Sequence, residues 1–124
     1  MFEERSIRLL TYNLETLLAE KLETMIARGT ANTRMRDFYD VYLLTKEGRF
    51  DLSLLKEAIL NTSRSRGTEA QLENYSSIMQ DVFNSIIMKS AWDNFVKQSY
   101  FAGKLSWEEV AYECVLLSTK VLSQ

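Results

Sequence analysis

Proline and histidine are missing from this chain of 124 residues, which also has only one cysteine and four glycines. A chain without proline and nearly without glycine favours long uninterrupted helices over a turn-rich β fold. The absence of histidine removes the commonest general base. Together with the lone Cys114 it also argues against a zinc site. One cysteine excludes a disulfide within the chain. Any catalysis would fall to Lys, Arg, Asp, Glu, Ser, Thr or Tyr, or to a metal held by oxygen ligands. Neither sign of charge dominates: the net charge is -2, so there is no bulk electrostatic case for nucleic acid or an anionic membrane. No apolar run approaches the ~18 residues needed to cross a bilayer, and "MFEERSIRLL" lacks the apolar run of a signal peptide. These absences lead to the expectation of a cytoplasmic protein with no membrane association.

What is present is ordinary for a globular domain, 46% hydrophobic and 26% charged residues. This length makes one domain the default and allows one real core. The spacing predicts an all-α bundle of about five helices, beginning with an αα-hairpin. Helix 1 runs from about Leu14 to Ala27, with Asn13 as N-cap and Gly29 after its end. Helix 2 runs from about Arg34 to Lys46, capped by Thr33 and stopped by Gly48. A third helix starts at Asp51 and fades in "NTSRSRGT". A fourth covers much of 70 to 101 with a break near Asn84 to Ile87. The last opens with "SWEE", a capping box, and carries the stripe Val110, Cys114, Leu117, Val121. "SIRLLTY", residues 6 to 12, alternates enough to be a short orphan strand.

The charges of helices 1 and 2 demand an explanation. On a helical wheel at about 100° per residue, Lys21 and Arg28 fall inside the apolar stripe of Leu14, Leu17, Leu18, Leu22, Met25 and Ile26. Glu20 and Glu23 point away, toward solvent. In "RMRDFYDVYLL", residues 34 to 44, apolar side chains leave almost no solvent face, yet Asp37 and Asp40 stand at i,i+3 and Arg36 and Asp40 at i,i+4. A buried carboxylate without a partner costs several kcal/mol or takes up a proton. The hairpin therefore predicts that Lys21 and Arg28 meet Asp37 and Asp40. Such a cluster is either an ion-pair network that sets the register of two helices or a functional site. The surplus of cations, Lys21, Arg28, Arg34 and Arg36 against two aspartates, suits a phosphate ligand.

The stretch "YNLETLLAEKLETMIARGTANTRMRDFYDVYLL", residues 12 to 44, closely resembles the C-terminal signature of the AbiEii/AbiGii family of abortive-infection, toxin–antitoxin nucleotidyltransferases. "LKEAILNTSRSRGT", the helix with Trp92 and Phe95, and "SWEEVAYE" fit the family's helical tail less sharply. The resemblance implies NTP-dependent nucleotide transfer with Mg²⁺, acceptors that include tRNA ends, and an antitoxin. It implies that Lys21, of "AEK", contacts nucleotide phosphates and that Asp37 is an active-site acid. Arg36 and Asp40 match the rest of that motif, and Arg28 matches the family's "Rg" position. The family's glycine- and serine-containing loop and Asp-x-Asp pair are not in this sequence. The expectation is therefore a single helical domain, residues 1 to 124, forming the C-terminal part of a nucleotidyltransferase whose catalytic core is absent, with no metal site in this chain and no turnover alone. The competing reading is a stand-alone interaction module that binds a partner or dimerises, with a purely structural ion-pair cluster. "RSR", residues 64 to 66, reads as a solvated helix end. Trp92, Phe95, Tyr100, Phe101 and Trp107 have the spacing of core residues, and Cys114 that of a small buried hydrophobe.

Overall fold

The computed structural model describes residues 2–99 and 103–123, with side chains from residue 14 onward. The helices run α1 Phe2–Arg28, α2 Met35–Glu47, α3 Leu52–Arg66, α4 Glu69–Glu73, α5 Tyr75–Asn84, α6 Ile86–Gln98 and α7 Trp107–Leu122, with a 3-10 turn at Gly29–Ala31 after α1. The described residues contain no strand, and the fold is all-α.

Local chemistry sets most of the boundaries. Asp51 caps α3 by accepting the Leu54 N–H at 3.1 Å, and Ser106 caps α7 by accepting that of Glu109 at 3.1 Å. Gly48 and Gly67 end α2 and α3 in the left-handed region, at φ 65° and 70°, where a side chain would be strained. Ser85 is extended and its Oγ accepts the Met88 N–H at 3.2 Å, so it closes α5 and opens α6 in one residue. This is the break expected near Asn84 to Ile87.

Four expectations change. "SIRLLTY" is not a strand but part of α1. No glycine or proline interrupts Phe2–Arg28, and a lone strand would leave its backbone unpaired. Asn13 accordingly lies inside the helix. Thr33 does not cap α2: Arg34 holds the N-cap position without a side-chain cap, and Asn32 Oδ1 takes the Arg34 N–H at 3.1 Å. The third helix does not fade but continues to Arg66.

The core lies where α1, α2, α3, α5 and α7 meet. Leu18, Leu22, Met25 and Ile26 of α1, Phe38 and Val41 of α2, and Leu55 and Ile59 of α3 are fully buried. The α7 stripe of Val110, Cys114, Leu117 and Val121 is buried as expected. Helix α1 packs chiefly on α3, while α7 packs on α5 and α2. Leu17 and Leu43 depart from the expected stripes, at 43% and 42% exposure. The α1–α2 seam is narrower than the wheels implied, because α1 shares its apolar surface with α3.

Two indoles complete the core, both fully hydrogen bonded. Trp92 Nε1 donates to the Leu105 carbonyl at 2.9 Å and Trp107 Nε1 to that of Phe83 at 3.2 Å. Phe38 meets Trp107 edge-on with ring centroids 5.3 Å apart. Phe95 is half-buried beside Trp92. Tyr100 and Phe101 lie outside the described residues.

Candidate functional site

The short connection between α1 and α2 turns the chain back, so the middle of α1 faces the first turns of α2. Lys21 reaches across this seam. Its Nζ lies 2.9 Å from Asp37 Oδ1 and 3.3 Å from Asp40 Oδ2. Asp40 takes a second cation from its own helix, Arg36 Nε at 3.2 Å. The i,i+3 spacing of the aspartates puts both carboxylates on the side of α2 that meets Lys21.

The cluster is half-buried, with side-chain exposures of 18% for Lys21, 20% for Asp37 and 27% for Asp40. Burial alone would lower the Lys21 pKa. The hydrogen bonds and charges of Asp37, then of Asp40, outweigh burial and raise it above its ordinary value. Lys21 is thus a fixed ammonium at physiological pH, suited to holding an anion and unsuited to taking a proton.

The structure brings together four of the six residues singled out: Lys21, Arg36, Asp37 and Asp40. Their charges balance. Arg28 and Arg34 stand apart, in the last turn of α1 and at the N-cap of α2, both exposed. Arg28 does not join the aspartates as the wheel suggested. The helix carries it about 10 Å beyond Lys21, past the point where α2 begins. The cationic surplus therefore sits at the turn end of the hairpin rather than in the cluster.

Sequence reasoning missed two acids. Glu23 was expected to face solvent, yet it is 1% exposed. Its Oε1 pairs with Arg66 Nη1 at 2.5 Å, and its Oε2 accepts the Thr68 hydroxyl at 2.7 Å. Glu15, also buried, accepts the Asp51 N–H through Oε2 at 2.8 Å. These two contacts tie α1 to both ends of α3. "RSR" is divided by them: Arg66 is engaged by Glu23, while Arg64 stays exposed with Nη1 on Asn61 Oδ1 at 3.1 Å.

A magnesium ion needs oxygen ligands in near-octahedral array. Among the described residues, no three acids or cysteines converge in a group that could hold a metal ion. The carboxylate pair of this cluster, Asp37 and Asp40, already shares the Lys21 ammonium. These residues do not fit a metal centre by themselves. Among the described residues, no helix is long and apolar enough to cross a membrane.

No curated protein and no solved structure gives a significant match to this chain. The family model described as nucleotidyl transferase AbiEii toxin, type IV TA system, matches residues 1–112, a span that contains the whole hairpin and its charge cluster. The chain belongs to the AbiEii nucleotidyl transferase toxin family of type IV toxin–antitoxin systems.

Proposed function

We propose that this helical domain is the nucleotide- and substrate-facing part of an abortive-infection nucleotidyltransferase toxin acting in the cytoplasm against phage, and that it does not turn over alone. One observation carries the reading: within the span matched to the family, Lys21 is held as a cation by Asp37 and Asp40 at the α1–α2 seam. Family chemistry implies an NTP, Mg²⁺, an RNA acceptor such as a tRNA end, and an antitoxin partner. In this reading Lys21 contacts the nucleotide phosphates and Asp37 fixes its position at the reacting centre. Arg36 and Asp40 support that pair, and Arg28 and Arg34 supply the cationic edge for phosphate. The acids that hold the metal come from a core carrying the glycine loop and the Asp-x-Asp pair.

The test is reconstitution. A matching core, added in trans or fused, restores labelled-nucleotide transfer to RNA, while the helical domain alone gives none. Lys21→Ala and Asp37→Ala then each reduce transfer by at least about a hundredfold, the order of a lost electrostatic contact to the reacting group. Unchanged transfer with either variant would sink the assignment.

A second reading is favoured by one feature. Ile86 and Ile87, on the first turn of α6, are 84% and 71% exposed. An interaction module that binds a protein partner or a second copy would use such a pair. In that case Asp37→Asn lowers stability yet leaves association intact, and Ile87→Ser abolishes association.

A further inference from the structure

Helices α6 and α7 run antiparallel, and two contacts fix their register. Trp92 Nε1 donates to the Leu105 carbonyl at 2.9 Å, and Lys89 Nζ lies 3.2 Å from Glu108 Oε2. A step back along α6 therefore answers to a step forward along α7. The next step sets Ile86, one turn before Lys89, beside Tyr112, one turn after Glu108. At the other end, Asp93 and Lys104 adjoin Trp92 and Leu105 in the chain and form a third layer. The outer face of this helix pair thus carries isoleucine beside tyrosine, lysine beside glutamate, and aspartate beside lysine.

Water reaches every layer. Ile86 is 84% exposed, with Ile87 next to it at 71%, and Tyr112 is 56% exposed. Lys89 and Glu108 are 55% and 52% exposed, and Asp93 and Lys104 are exposed as well. Large apolar side chains gathered on a surface in this way mark a place of contact. The charges decide what makes it. The face holds two cations and two anions, so it lacks the cationic surplus that a nucleic acid or an anionic membrane needs. Its order has another property: each layer sets on α6 the complement of what it sets on α7.

We propose that this face is the contact surface of a homodimer. A two-fold axis lying in the interface, parallel to both helices and midway between them, sets each α6 against its partner's α7 at the same height. Ile86 of each protomer then meets Tyr112 of its partner, Lys89 meets Glu108, and Asp93 meets Lys104. Unlike groups oppose each other in all three layers, and no two like charges are brought together. In one chain Lys89 and Glu108 form an exposed pair, which contributes little. In the dimer each also gains the opposite charge of the partner. The pairing gives the association favoured by the exposed isoleucines its occupant and its register, and it is independent of the reading of Lys21.

The experiment is sedimentation velocity of the full chain from about 1 μM to about 1 mM. The unaltered chain passes from monomer to dimer within that range. Ile86→Ser weakens the dimer by about thirtyfold or more, the loss expected of an anchoring side chain. Lys89→Glu and Glu108→Lys, both at exposed positions, each oppose like charges across the axis and leave a monomer. Mixed in equal amounts, these two variants form a one-to-one dimer, because the acids of one chain then meet the cations of the other. A chain that stays monomeric to about 1 mM, a dimer indifferent to all three substitutions, or charge variants that stay apart on mixing overturns the proposal. None of these outcomes touches the proposed function, whose test is nucleotide transfer by the Lys21→Ala and Asp37→Ala chains. Conversely, transfer unchanged in Lys21→Ala sinks that site assignment and leaves the dimer standing.

Discussion

Arg66 stands over Glu23 across 43 residues of sequence, with a side chain 47% exposed against 2% for the acid. The pair is unequal, and its two halves should cost differently when removed. Arg66→Ala strands a buried carboxylate with the Thr68 hydroxyl as its remaining partner, which should destabilise the fold by about 2–4 kcal/mol. Glu23→Gln leaves a guanidinium that water can reach and should cost about 1–2 kcal/mol. Urea unfolding of both variants settles the order. A costlier Glu23→Gln would contradict the asymmetry.

The Lys21–Asp37 contact lies between surface and core. Exposed pairs contribute about 0–1 kcal/mol, and buried ones cost about 3–5 kcal/mol when one partner is lost. With side chains near one-fifth exposed, a double-mutant cycle on Lys21→Ala and Asp37→Ala should return a coupling of about 1–2 kcal/mol. A value near zero would mean that the seam is held by its apolar residues alone.

Alkaline stability follows from the raised Lys21 pKa. The folded state binds this proton more tightly than the unfolded chain does. The contribution is therefore fully present below the ordinary lysine value of 10.5 and is lost as pH rises through the higher folded value. Between pH 7 and pH 9 the contact should be constant. Above about pH 10 the unaltered chain should lose stability faster than Lys21→Met. Parallel curves for the two proteins in thermal melts would refute this.

Cys114 should be silent in the native state. It is wholly buried, its Sγ 3.8 Å from the Phe38 carbonyl, and burial, then the charge of Glu113, pushes the thiol pKa far up. The thiolate is the reactive form. A chromogenic disulfide reagent at pH 8 should label it only as fast as the fold opens, with full reactivity restored in denaturant. Rapid labelling without denaturant would place the α7 stripe outside the core.

Features decided within one helical turn were legible in the sequence. The start of α3 at Asp51, the Ser106 cap, the Gly48 stop, the break near Asn84 to Ile87 and the α7 stripe all depend on neighbours in the chain. The Lys21 cluster was legible because a short hairpin leaves little choice about which faces meet. Glu15 and Glu23 were not, because their partners lie 36 and 43 residues away on or beside α3. A wheel drawn for one helix assumes one buried side, whereas α1 is covered by α2 on one side and by α3 on the other. The same sharing of α1 leaves Leu17 exposed, although its spacing places it in the stripe.

The paired indoles give the molecule a colour of its own. Trp92 and Trp107 are its two tryptophans, their rings 6.3 Å apart and each almost wholly shielded from water. One belongs to α6 and the other to α7, and their N–H groups are bound to carbonyls outside both helices. Ultraviolet emission from the unlabelled chain therefore reports whether this end of the bundle is closed. A ligand or partner that pried α6 from α7 would shift that light to the red, while one that bound elsewhere and left the packing alone would not.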